Sequence, residues 1–161
     1  MVKIETFLFN TKKHKGNPDL LVNIKEYPLI DITQLDPDYL EGTLSIEYNG
    51  QVILDKTCWD LVDQLYIYFA EALLHYKKEG EAEFFFPDTP VTVKLQKKNK
   101  AYVSLQINEK QYALPIDEFA SAIFYAAIEF FQNFLKLNPR YNGNFEIELK
   151  RIKEMEQAFF S

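Results

Sequence analysis

The sequence predicts an α+β fold: an antiparallel sheet of about six to eight strands, built as hairpins and a meander, packed against two long helices plus a short C-terminal helix. Three observations predict it. Runs with strand chemistry are separated by short polar turns. Two stretches of about twenty residues carry helical periodicity instead. The 161 residues, 47% hydrophobic and 16% aromatic, suffice to fill one core but not two, so residues 1–161 read as one domain.

The elements follow in order. "VKIETFLF" (2–9) and "LLVNIKEYPLI" (20–30) are strand-rich runs on either side of "NTKKHKGNPD", whose Gly-Asn-Pro-Asp is turn chemistry. In "GTLSIEYNGQVILD" (42–55), Asn49-Gly50 lies between two alternating segments and supplies the positive φ angles of a tight type I′ hairpin. Residues 57–79 read as one helix. Thr57 and Asp60 match a capping pattern, Lys77-Lys78 suit the last turn, and Gly80 suits the C-cap. Cys58, Leu61, Val62, Leu65, Phe69, Ala72, Leu73 and Tyr76 fall on one stripe of that helix, which should face the core.

Four further strands, 82–86, 91–97, 101–108 and 111–115, are joined by "PDTP", "KNK" and "NEK", connections short enough for an antiparallel meander. In "EFFFPDTP", alternation sends Phe84 and Phe86 to one face and Phe85 to the other, and the prolines end the strand. A second helix runs from about Ile116 to Leu137, with Asp117 and Glu118 in its first turn and Pro139 beyond its end. Its only polar strip is Glu118, Ser121, Tyr125, Glu129, Gln132 and Lys136, as for a central, mostly buried helix. The tail 144–158 carries both periodicities; its Glu/Lys pairs favour helix.

Function is constrained mainly by exclusion. Net charge −6 repels a nucleic-acid backbone, and the lysine runs "TKKHK" (11–15) and "QKKNK" (96–100), without interleaved aromatics, read as solvated loops. Cys58, the single cysteine, permits no intramolecular disulfide. The run after Met1 is short for a signal peptide, and no stretch reaches bilayer-spanning length, so the cytoplasm is expected. Cys58 and His75, 17 positions apart on one predicted helix, would be about 25 Å apart and form no catalytic dyad. Cys58 reads as an inert core thiol and His14 as a surface histidine. Two histidines and one cysteine lack zinc-site spacing. The acidic connector 31–42 gathers Asp31, Asp36, Asp38 and Glu41, but Gln34-Leu35-Asp36 breaks the pattern of a calcium loop. Phosphate-binding glycine motifs are absent too. No catalytic residue, metal ligand or cofactor is expected.

One anomaly remains. On the first helix Ile67 and Leu74 project opposite the core stripe, with Asp60, Asp63, Glu71 and Lys78 around them and Trp59 and Ala70 at the margin. Aliphatics rimmed by charge make Asp60, Asp63, Ile67, Glu71 and Leu74 a candidate protein-binding face, unless another element such as the C-terminal segment covers them.

The order of Gly42-x-Leu-x-Ile46, Trp59-Asp-Leu-Val62, Phe85-Phe-Pro-Asp-Thr-Pro90 and Val103-x-Leu105 resembles that of small α+β bacterial immunity proteins, over residues 40–137. The resemblance implies a non-enzymatic cytoplasmic protein that neutralises a toxin by occluding its surface, acidic residues steering association and an apolar centre holding it. The alternative is a binding module for a small apolar ligand enclosed by the aromatic sheet and the second helix. Self-association through the same helix face is left open.

Overall fold

A computed structural model describes residues 1–31, 33, 35–137 and 142–161, and the side chains of these except 27–29, 142 and 143. Pro139 and Gln34, both used above, lie outside them. The fold is α+β, with the strands divided between two antiparallel sheets instead of forming one. In chain order the elements are β1 (Val2–Phe9), β2 (Leu21–Asn23), β3 (Glu41–Tyr48), β4 (Gln51–Leu54), β5 (Asp60–Leu61), α1 (Val62–Glu79), β6 (Glu81–Phe85), β7 (Thr92–Lys97), β8 (Tyr102–Ile107), β9 (Lys110–Pro115), α2 (Ile116–Leu137) and α3 (Asn142–Phe160).

The first sheet runs β2-β1-β3-β4, and β5 also pairs with β3. Asn49 and Gly50, at φ 49° and 82°, turn β3 into β4 as expected of Asn-Gly. Gly42 is required by packing: a Cβ there would stand 2.0 Å from the Phe7 carbonyl oxygen. The second sheet is the expected meander, β6-β7-β8-β9. It is two-faced. Val93, Leu95, Val103, Leu105 and Leu114 are buried, while Glu83, Lys94 and Gln96 on the alternate positions are exposed.

α1 and α2 touch both sheets, α1 through β3, β5, β6 and β7, and α2 through β1 and β9. α2 is the buried central helix, with Phe119, Phe124, Phe130, Phe131 and Phe134 in the core. α3 packs on α1 and α2. Its Phe145 ring lies 4.7 Å from that of Phe134 and its Phe159 ring 6.0 Å from that of Phe124.

Four expectations need correction. The helix expected from Thr57 begins at Val62, because the would-be cap residues are used elsewhere. Thr57 closes a turn with Asp55, and Asp60 belongs to β5; Leu61 is the N-cap, without a side-chain bond. The run 20–30 pairs as a strand only over Leu21–Asn23 and then coils into a 3-10 segment, Ile24–Leu29. The C-terminal helix is not short but spans 19 residues, since two helices offer it an apolar surface. Cys58 precedes α1, so it is half-buried in a loop and not on a helical core stripe.

Candidate functional site

The N-terminal end of α1 is where three remote parts of the chain meet. β5 leads straight into the helix, and the Val62 N–H donates to the Leu40 carbonyl at 2.9 Å, tying the first turn to the end of the acidic connector. In that connector the Asp38 N–H donates to Asp36 Oδ1 at 3.0 Å and the Tyr39 N–H to the Asp36 carbonyl at 2.9 Å, a tight turn that presents Asp38. The first turns of α3 close the third side. The result is a groove of about 300 Å³ in which Asp38, Asp63 and Glu148 share walls with Ile67, Tyr68 and Phe145.

Its electrostatics are unbalanced. Burial pushes the Asp63 carboxyl up to about 6, the charge of Glu148 adds to the shift, and backbone N–H groups oppose it. Glu148 Oε2 is shielded from solvent and has no hydrogen-bond partner among the described residues. Arg151 Nη1 stands 3.9 Å away, and the other end of that guanidinium is turned to Glu71.

The residues expected to form one exposed face are separated. Asp63 lines the groove, and Glu71 is exposed and paired with Arg151. Leu74 is half-buried and packs against the core. Ile67 and Asp60 are buried, so neither can belong to a solvent-facing patch as expected. The reason for Ile67 is α3, which lies along that side of α1. The reason for Asp60 is a clasp between the sheets. Its Oδ2 accepts from the Asp88 N–H (3.0 Å), the Thr89 N–H (2.8 Å) and the Thr89 hydroxyl (2.8 Å), and Oδ1 accepts from the Leu61 N–H (2.7 Å). The turn "PDTP" is therefore shaped around a carboxylate of the first sheet. Of the groove's other carboxylates, Asp38 was read only as part of the acidic connector and Glu148 was not singled out, because positions 38, 63 and 148 share no local pattern.

His14 is 5% exposed, not a surface residue. Its ring stacks on Phe9 at 3.7 Å and meets Trp59 edge-on at 5.0 Å. Nδ1 accepts from the Gly16 N–H at 2.8 Å, which assigns the proton to Nε2, 3.0 Å from Glu41 Oε1. Both ring nitrogens are occupied, so the histidine fastens the 10–17 loop to β3 and leaves no nitrogen for a substrate. Cys58 is no better placed for nucleophilic work: burial, then the charge of Asp55, raises its thiol above the ordinary range. Phe84 meets Phe69 edge-on at 4.9 Å, Phe86 is buried, and Phe85 is 63% exposed. A second, larger groove of about 760 Å³ lies between the sheets, with Val52, Ile107 and Tyr112 among its lining.

Among the described residues, no group of three or more His, Cys, Asp or Glu is placed to hold a metal ion, and no helix is long and apolar enough to cross a membrane. No family model, curated protein or solved structure matches the chain.

Proposed function

We propose that the chain is a non-enzymatic protein-binding domain that seats a lysine or arginine side chain of a basic partner in the groove between α1, α3 and the acidic connector. This is the mode of action that the resemblance to bacterial immunity proteins implies, with the partner then a toxin. The observation that carries the reading is the pairing of Asp63, pushed up to about 6, with the shielded and unbonded Glu148 Oε2 in a groove that also holds Asp38. A cation placed there would relieve the like-charge repulsion and supply the missing hydrogen bond, while Tyr68 and Phe145 contact its aliphatic stem. Asp36 and Asp88 extend the acidic character beyond the groove, which favours encounter with a basic surface.

The test uses the intact chain as bait and cross-linking mass spectrometry to locate the contact. Asp63→Lys and Glu148→Lys should each abolish retention of the partner while leaving the circular dichroism spectrum unchanged. Retention should also weaken between pH 7.5 and pH 5, as Asp63 takes up its proton. A partner held equally by both variants, or cross-linked away from the groove, refutes this reading. A second reading, a small apolar ligand, rests on the groove between the sheets; native mass spectrometry showing a bound small molecule lost on Val52→Glu would support it.

A further inference from the structure

Five lysines gather at the opposite end of α1. Lys77 and Lys78 close the helix, and the β7–β8 hairpin brings Lys97, Lys98 and Lys100 beside them. With Phe159 and Phe160 from the end of α3, all but Lys98 line a groove of about 590 Å³. Among the described residues, Glu79 and Asp117 are the only acidic side chains that line it, in a chain whose net charge is −6. Lys77 is committed: its ammonium donates to the carbonyls of Ala158, Phe159 and Ser161 and lies 5.6 Å from the Phe159 ring centre. Among the described residues, Lys78, Lys97, Lys98 and Lys100 have no carboxylate within 4 Å, which they share with most lysines of the chain, since only Lys3, Lys25 and Lys94 are paired; what sets these four apart is that they stand together. The rings beside these lysines come from residues about sixty positions away, so the run "QKKNK" shows no aromatic interleaving in the sequence.

We infer that this groove is a second docking surface, which takes an acidic segment of a partner protein bearing an apolar side chain. The charge calls for an anion, and three features select its kind. Among the described residues, the groove's lining has no arginine fork to hold phosphate in two bonds. The negative charge of the whole chain opposes a long polyanion such as a nucleic acid. Phe160, 46% exposed, gives an apolar side chain a surface to rest on between lysines. Carboxylates spaced along a peptide can meet Lys78, Lys97 and Lys100 and avoid Glu79 and Asp117. α1 has 18 residues, so the two ends lie about 27 Å apart. This surface and the acidic groove can therefore fail separately.

The probe is the labelled peptide EEFEEL, with QQFQQL as its neutral control, titrated into the full chain and followed by anisotropy and amide NMR. EEFEEL should move the amide signals of residues 77–80 and 97–100, bind more tightly than QQFQQL, and weaken by about tenfold when Lys78, Lys97 and Lys100 are all replaced by Glu. Replacement by Gln, which keeps the surface uncharged, should weaken it less. Asp63→Lys should leave peptide binding unchanged, whatever becomes of the acidic groove. Equal binding of both peptides, or shifts confined to other surfaces, overturns the inference. So does tighter binding of oligo-dT or of phosphatidylserine vesicles, or a mass by light scattering showing that the lysines serve self-association.

Discussion

Asp60 and Asp63 stand three residues apart and meet opposite environments. Asp60 is 1% exposed, and its carboxylate accepts four hydrogen bonds, three of them from the turn between β6 and β7. Asp60→Asn would turn an NH₂ towards backbone N–H groups that only donate, and so should lower stability by about 2–4 kcal/mol in urea unfolding; a loss under about 1 kcal/mol would mean that the clasp does not hold the sheets. Asp63 behaves in the reverse sense. Its folded pKa, about 6, lies above the ordinary aspartate value of 3.8, so the folded chain holds this proton more tightly than the unfolded chain does. The stability it contributes is complete below pH 4 and is lost as pH rises through 6, a difference of order 2–3 kcal/mol. Asp63→Asn should therefore raise the melting temperature at pH 7.5 and leave it almost unchanged at pH 4; an equal change at both pH values would show that burial does not penalise the charge.

At the scale of elements, what was legible depended on whether the deciding contacts were local. Asn49-Gly50, Gly80 and the short turns of the second sheet act through their own backbone geometry, and each appears where the sequence placed it. The start of α1 was misread because Thr57-x-x-Asp60 has the form of a cap, while Thr57 donates its N–H to the Asp55 carboxylate and Asp60 accepts from the distant Thr89. His14 was misread for a similar reason: what buries it comes from Phe9, Glu41 and Trp59 on other elements. Of the candidate site Asp63 and Ile67 were recovered in the groove, Ile67 as a buried part of its wall and not as an exposed aliphatic, which could be foreseen only by knowing where α3 lies. α3 also sets this scale's prediction. Ile152 is fully buried on a helix whose opposite face is charged, so Ile152→Ala should cost about 2–4 kcal/mol. A loss below 1 kcal/mol in the same urea assay would mean that α3 is not held by its apolar face, and the groove walls built on Phe145 and Glu148 would lose their support.

Across the whole molecule, the division into two sheets raises the question of whether they unfold together. α1 and α2 each bury side chains against both sheets, and Asp60 joins them by hydrogen bonds, so neither sheet can separate without exposing Phe69, Phe119 and their neighbours. Coupling of this kind predicts one cooperative transition. Trp59, the single tryptophan, reports on the first sheet because its ring packs edge-on against Phe9 and His14. Leu105 lies at the centre of the second, fully buried and opposite Leu95 and Tyr112. Leu105→Ala removes no contact to Trp59's ring partners, yet it should shift the urea midpoint of Trp59 fluorescence as far as that of far-UV circular dichroism, by a stability loss of about 2–4 kcal/mol. If fluorescence keeps its original midpoint while circular dichroism moves or splits, the sheets unfold independently. The acidic and basic ends of α1 would then be carried by separable units and not by one rigid frame, and binding at one would place no constraint on the other.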